Sequence, residues 1–361
     1  MATIGQDCFP VEFNMADSPI VLVLDGVLSG FPVGSVFRQM EITVPVKRSD
    51  TGESKEFVFL VDVDGSTLTV DIASAVRSAL FDVEYKPLML SQATVNYPYV
   101  SFSVKYREKY MMDGEIYYGS STEINKGSMA VGGRISDLER LRVKAHVADY
   151  FTKLRFTTKP LDGMEIVPEG ERVIVNGIAS DGFLQGKTQQ ASGTGSRKLS
   201  DGRTIYVMEN DGTMFPLVFV NSMGVLDTAT AICREALSYG IESESFNLTG
   251  VPSNMKVYGR EALKGGGRAV LTMSSGFVTR KWADWWAEEV MRTRKCWVKF
   301  GKQYNITGDV ETVTDFWAPC ILTPKDDTVQ VYDRSEQQLH YVEFELEVCA
   351  EGSLLRSVKG Q

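Results

Sequence analysis

Val342-Glu343-Phe344-Glu345-Leu346-Glu347-Val348 alternates apolar and carboxylate residues with period two. Successive side chains of an extended chain leave on opposite faces, so this stretch is a strand packed on one side and wet on the other. Working back along the chain, residues 318–323 (Ala-Pro-Cys-Ile-Leu-Thr) and Cys296-Trp297-Val298-Lys299-Phe300 are further extended runs. Ahead of them, residues 277–291 read as an amphipathic helix. Thr279 can serve as N-cap, Trp282, Trp285 and Trp286 fall at i, i+3 and i+4, and Val290 follows one turn later. Lys281, Asp284, Glu288 and Glu289 occupy the other side. An aromatic-rich helix packed on an antiparallel sheet is a scaffold, and no residue in it suggests catalysis.

The chain has 361 residues, enough for two or three domains that each bury a core. Hydrophobic residues make up 43% and charged residues 24%, which is the balance of a folded chain rather than a disordered one. The formal net charge of -9, with no Lys/Arg run longer than two, argues against a nucleic-acid partner. Near the N-terminus the longest apolar run is 20–24, far short of a membrane helix, so no membrane partner is expected. The first fifteen residues lack a basic segment followed by an apolar one, so no secretory signal is expected either. Cys8, Cys233, Cys296, Cys320 and Cys349 are odd in number and widely spaced, and read as thiols of a protein made in a reducing cytoplasm.

The expected fold is mainly β with a few helices, built from antiparallel sandwich- or barrel-like domains with the Trp helix on the C-terminal sheet. Three blocks are expected: a β-domain over 1–110, an α+β bridging segment over 111–200, and a C-terminal β-domain over 201–361. In the first block, 41–46 and 56–63 flank a polar stretch, 47–55, that reads as a hairpin with a long solvated loop. Val100, Phe102, Val104 and Tyr106 alternate with polar residues as a half-buried strand. Residues 110–133 read as an extended loop. Ser136-Asp137-Leu138-Glu139 forms a capping box that opens a helix over 137–150. Residues 153–158, 172–175, 204–209 and 217–220 read as strands, and 186–200, rich in Gly, Ser and Gln, as a flexible arm. A weak internal echo links 57–80 with 217–237, each passing from strand through turn to an Ala/Leu-rich end.

No motif amounts to an active site. Gly182 to Thr188 resembles a phosphate-binding loop, but it has three residues between its glycines where four are needed, and no helix follows. Asp62-Val63-Asp64-Gly65-Ser66 would place Ala73 where a calcium loop needs Glu, so a hairpin turn is expected. Two histidines, His146 and His340, are too few for a zinc site or triad with any signature around it. Catalytic, cofactor-binding and metal-binding residues are therefore expected to be none, with no cofactor. Glu343, Glu345 and Glu347 form a carboxylate row, read either as a water-facing surface or as a face met by cations of a neighbouring subunit.

Three segments carry a resemblance. The first is Val131-Gly132-Gly133-Arg134-Ile135-Ser136 with its helix and Leu154-Arg155-Phe156-Thr157-Thr158-Lys159-Pro160. The second runs from Pro216 through Asn221-Ser222-Met223-Gly224 to Thr228. The third joins Ser275-Gly276-Phe277-Val278-Thr279, the Trp helix and the strands that follow it. Together they resemble structural tail proteins of bacteriophages and prophages of Bacteroides-type bacteria. The resemblance implies a non-enzymatic virion component of the tail: a distal-tail, hub or connector subunit, made in the bacterial host cytoplasm. Its partners would be other copies of itself in a ring and neighbouring tail tube, hub or connector proteins. A baseplate-type homo-oligomer would assemble through sheet edges and through loops such as 110–133 and 186–200 that order on contact. The rival readings are a carbohydrate-binding adhesion module of the same particle, using Trp317 or the Tyr97–Tyr118 aromatics as a stacking platform, and a hydrolase with dispersed acids.

Overall fold

The computed structural model describes residues 3–4, 13–80, 83, 85–133, 158–178, 184–233, 238–247, 260–307, 310–325, 329–334 and 339–348. The chain is mainly β, with two short α-helices among the described residues, and its strands form three successive units.

The first unit contains β1 (Thr3–Ile4), β2 (Phe13–Met15), β3 (Val21–Asp25), β4 (Val36–Arg48), β5 (Ser54–Asp62), β6 (Thr67–Asp71), α1 (Ala73–Leu80), β7 (Thr94–Asn96), β8 (Tyr99–Met112), β9 (Glu115–Tyr118) and β10 (Thr122–Val131). One sheet runs β1-β3-β6 and the other β2-β10-β8-β4-β5, with β9 folded back on β8. Period-two patterning explains the packing. Leu22, Leu24, Leu68 and Val70 from the small sheet meet Met40, Ile42, Val44, Val100, Phe102 and Val104 from the large one in a single core. Helix α1 adds Ala73, Val76 and Ala79 to it.

The second unit is smaller. β11 (Met164–Pro168), β15 (Thr204–Met208) and β14 (Gly195–Lys198) form one sheet, with β11 parallel to β15. The other is β12 (Arg172–Ile178), β13 (Leu184–Gln190) and β7, the last lent by the first unit. Val167, Val173, Val175, Leu199, Ile205 and Val207 form the core between them.

The third unit is a closed barrel. β16 (Met214–Val220), β17 (Leu226–Cys233), β19 (Arg260–Ser274), β23 (Leu339–Val348), β21 (Val310–Pro324) and β20 (Cys296–Thr307) pair in that order, and β20 returns to β16. β18 (Ser238–Asn247) pairs with β19, and β22 (Val331–Arg334) with β23. Both β18–β19 and β20–β21 run on past the barrel wall as two-stranded ribbons. The barrel is filled by Leu217, Phe219, Met273, Val298, Val342, Phe344 and Leu346 together with the Trp helix, α2 (Arg280–Trp285) and the π-turn Trp286–Val290 that continues it. Thr279 is the N-cap residue as expected, although its side chain makes no capping hydrogen bond. Trp282, Trp285 and Trp286 are all buried. Each removes about 200 Å² from water, about 5 kcal/mol of transfer free energy before ordering costs.

Several expectations need correction. The solvated loop over 47–55 shrinks to a turn over 49–53, because β4 continues to Arg48, whose buried guanidinium holds both carboxylate oxygens of Asp50. Residues 110–133 are not a loop: they complete β8 and contain β9 and β10, and the expected division at residue 110 falls inside β8. The polar arm over 186–200 is mostly strand, β13 and β14. Gly186 has a packing cause, since a Cβ there would stand 2.8 Å from Tyr97 Oη and 2.7 Å from Ile174 Cδ1. The turn over 62–66 is no hairpin, because β5 pairs with β4 and β6 with β3. The internal echo does not extend to Ile232 and Cys233, which lie in strand β17 where the first copy, at Ala75 and Val76, is helical. The capping box at Ser136, the helix over 137–150, His146 and the strand residues 153–157 lie outside the described residues.

Candidate functional site

Charged side chains gather where the second unit meets the barrel. Lys159 comes from the segment leading into β11, Glu165 from β11, Asp227 and Thr228 from β17, and Asp201 and Arg203 from the turn before β15. Lys159 Nζ donates to Glu165 Oε1 and Oε2, each at 2.8 Å, and to Thr228 Oγ1 at 3.4 Å. It also lies 3.2 Å from Asp227 Oδ1. The Lys159 side chain is 0% exposed and that of Asp227 1%. Arg203 donates from Nε to Asp201 Oδ2 and from Nη2 to the Ile174 carbonyl, while its buried Nη1 makes no hydrogen bond and lies 3.9 Å from Glu165 Oε2. Burial opposes the guanidinium's charge, but the fields of Asp227, Glu165 and Asp201 outweigh it and hold Arg203 above its ordinary range.

The Trp helix closes this cluster from the barrel side. The Trp285 ring stands 5.6 Å from Lys159 Nζ, and its Nε1 donates to Thr158 Oγ1 at 2.9 Å. Trp282 Nε1 donates to the Asp162 carbonyl at 2.8 Å. Gly163, at φ +97°, passes close beneath Trp282, where a Cβ would stand 2.8 Å from Nε1. A void of about 10 Å³ beside Glu165 and Thr228 has at most the room of one water. The cluster ties β11 and its flanking segment to barrel strand β17.

An open cleft of about 470 Å³ lies between the first two units, lined by Asp50, Tyr85, Met89, Asn96, Tyr97, Tyr99 and Gln185 among others. The phenols of Tyr85 and Tyr97 are committed internally, to the Gly224 carbonyl and to Asn176 Oδ1, each at 2.8 Å. Burial raises both phenols above their ordinary range. The Tyr97–Tyr118 aromatics do not make one platform. Tyr97 and Tyr99 line this cleft, Tyr106 is in the first core, Tyr110 stacks on Tyr117, and the Arg107 guanidinium covers Tyr118. Trp317 is half-buried, with Lys299 Nζ 5.9 Å from its ring centre.

Exposed apolar side chains collect at one end of the first unit. Val36 stands opposite Met111, and Met111 opposite Ile116, so the three share one face of β4, β8 and β9. Val36 is 52% exposed and Ile116 56%. A β-bulge between Val36 and Gln39 presents Phe37, 75% exposed, at φ 50°. A left-handed backbone is uncommon for a bulky residue and costs about 1–2 kcal/mol. On the same sheet, β5 is an edge strand among the described residues, with Val58 and Leu60 exposed.

Glu343, Glu345 and Glu347 lie on the outer face of the barrel, half-buried, and Lys325 Nζ reaches Glu343 at 3.5 Å. His340 is a buried residue whose backbone bridges Val278. Gly186, Lys187 and Thr188, the end of the loop that resembled a phosphate site, are strand residues of β13. Cys296 and Cys320 face each other across β20 and β21 as buried free thiols, and Cys233 is half-buried. Among the described residues no group of His, Cys, Asp and Glu is arranged to hold a metal ion, and no helix is long and apolar enough to cross a membrane. The charge cluster and the bulged Phe37 were not legible in the sequence: the first joins residues distant along the chain, and the second depends on a bulge that no turn residue announces. Comparison with family models, with curated proteins and with solved structures finds no match to this chain.

Proposed function

We propose that the protein is a structural, non-enzymatic subunit of a phage tail or tail-like assembly that joins copies of itself into a ring and abuts neighbouring tail proteins. The observation that carries this reading is the apolar row Val36–Met111–Ile116 with Phe37 held out beside it on a strained backbone. Strain at an exposed aromatic persists where the side chain has work to do, and contiguous exposed apolar surface marks protein contact. The edges of β5 and β18 and the ribbon β20–β21 offer further main-chain and side contacts of the kind that close a cyclic assembly. The segments 110–133 and 186–200 do not need a neighbour in order to fold, because their strands already pair within the chain, and the first supplies Met111 and Ile116 to the apolar row. The virion location and the tail partners rest on the sequence resemblance.

Electron microscopy of the purified protein at high concentration tests the proposal: closed rings or stacked rings support it. The tyrosine-lined cleft favours a second reading, a carbohydrate-binding module, because Tyr85, Tyr97 and Tyr99 line it together with the polar side chains of Asn96 and Gln185. A protein that remains monomeric and is retained on a glycan array supports that second reading and counts against the first.

A further inference from the structure

We infer that Lys159 and Asp227 condense to an intramolecular isopeptide bond, with Glu165 as the proton carrier. Lys159 Nζ lies 3.2 Å from Asp227 Oδ1 while both Glu165 oxygens hold it at 2.8 Å. All three side chains are withdrawn from water, at 0%, 1% and 6% exposure. The Trp285 ring covers the amine at 5.6 Å. An amine and a carboxyl fixed in contact react as one molecule, which removes most of the entropic barrier to amide formation. A site that excludes water also removes the reactant that would reverse it.

The step balances within the cluster. Lys159 passes a proton to Glu165, and the neutral Nζ attacks Asp227 Cγ. The Nζ–Cγ bond forms, Glu165 delivers its proton to the departing oxygen together with the second proton released by nitrogen, the Cγ–O bond breaks, and one water leaves. Nothing is oxidised or reduced, and a buried ion pair becomes a neutral amide and water. Glu165 ends as it began, a carboxylate, and loses its lysine partner. Arg203 stands ready to replace it: its buried Nη1 makes no hydrogen bond and points its charge at Glu165 Oε2 from 3.9 Å. Among the described residues an unreacted cluster would instead hold two cations and three carboxylates out of water, with one guanidinium nitrogen making no hydrogen bond, an arrangement whose desolvation is hard to recover. The bond would fasten the segment before β11 to barrel strand β17 and so lock the second unit to the third. It is one self-modification per chain, without turnover, and stands whether or not the protein belongs to a tail.

The test is the mass of the full-length protein under denaturing conditions. The expected result is a wild-type mass lower than the sequence mass by one water. Proteolysis followed by tandem mass spectrometry should then give one branched peptide joining Lys159 to Asp227. Lys159→Arg and Glu165→Gln are expected at full mass. A wild-type protein at full mass overturns the inference without reference to any variant, as does a water loss that maps elsewhere or persists in Lys159→Arg.

Discussion

The indole of Trp286 lies nearly flat on the Phe344 ring, with centroids 5.6 Å apart and 25° between planes. This contact joins the helix that plugs the barrel to the strand whose alternation announces it, and both residues are buried. Trp286→Ala leaves a cavity that rigid barrel walls cannot close. The expected loss is about 3–5 kcal/mol of stability, read from urea unfolding followed by far-UV circular dichroism.

Where the first unit meets the barrel, two glycines bring backbones into contact. A Cβ on Gly224, at φ +76°, would stand 2.2 Å from the Gly132 carbonyl carbon, and one on Gly133, at φ +109°, 2.0 Å from that of Met223. Gly224→Ala combines left-handed strain of about 1–2 kcal/mol with overpacking of about 1–3 kcal/mol. Gly212→Ala, at φ +90° with open space around it, should show the strain alone. Thermal unfolding of the two variants separates the terms, and equal shifts would show that the backbones are not in contact.

The Glu289 carboxyl sits above the ordinary carboxylate range because burial disfavours its charge, although Ser222 donates to it from its backbone nitrogen at 3.0 Å and its hydroxyl at 2.8 Å. The folded protein therefore holds this proton more tightly than the unfolded chain does. The stability from this group is fully present below the ordinary carboxylate range and is lost as pH rises through the raised value. Glu289→Gln keeps the Ser222 contacts without the charge. At neutral pH its melting temperature should exceed that of the wild type, and the difference should vanish at low pH.

The sequence was most legible where one face of a strand is buried and the other wet. Along β23 the inward residues Val342, Phe344 and Leu346 alternate with glutamates, and along β8 Val100, Phe102 and Val104 behave likewise, so element and face were both readable. Strands β9, β13 and β14 were missed for the opposite reason. β9 is exposed along its whole length, β13 is half-polar and needs glycine beneath Tyr97, and β14 is nearly all exposed. Their order comes from ladder hydrogen bonds to neighbours, which leave no hydrophobic period. The Trp helix was visible, but its use as the plug of a closed barrel depends on the β19–β23 pairing, and that depends on distant residues. Lys159, Glu165 and Asp227 share no motif or spacing along the chain; only the meeting of β11 and β17 buries them together.

Phe37 tests the central claim most directly. Glycine accepts φ 50° without strain, and the Phe37 ring contributes little to the core because it is 75% exposed. Phe37→Gly should therefore unfold within about 1 kcal/mol of the wild type while losing the contact that assembly needs. Light scattering coupled to size exclusion, run over a concentration series, gives the mass of both proteins. The expected result is a wild type that reaches a closed multiple of the subunit mass and a Phe37→Gly variant that stays monomeric at the same concentrations. A wild type that remains monomeric throughout, or a variant that assembles equally well, contradicts the claim.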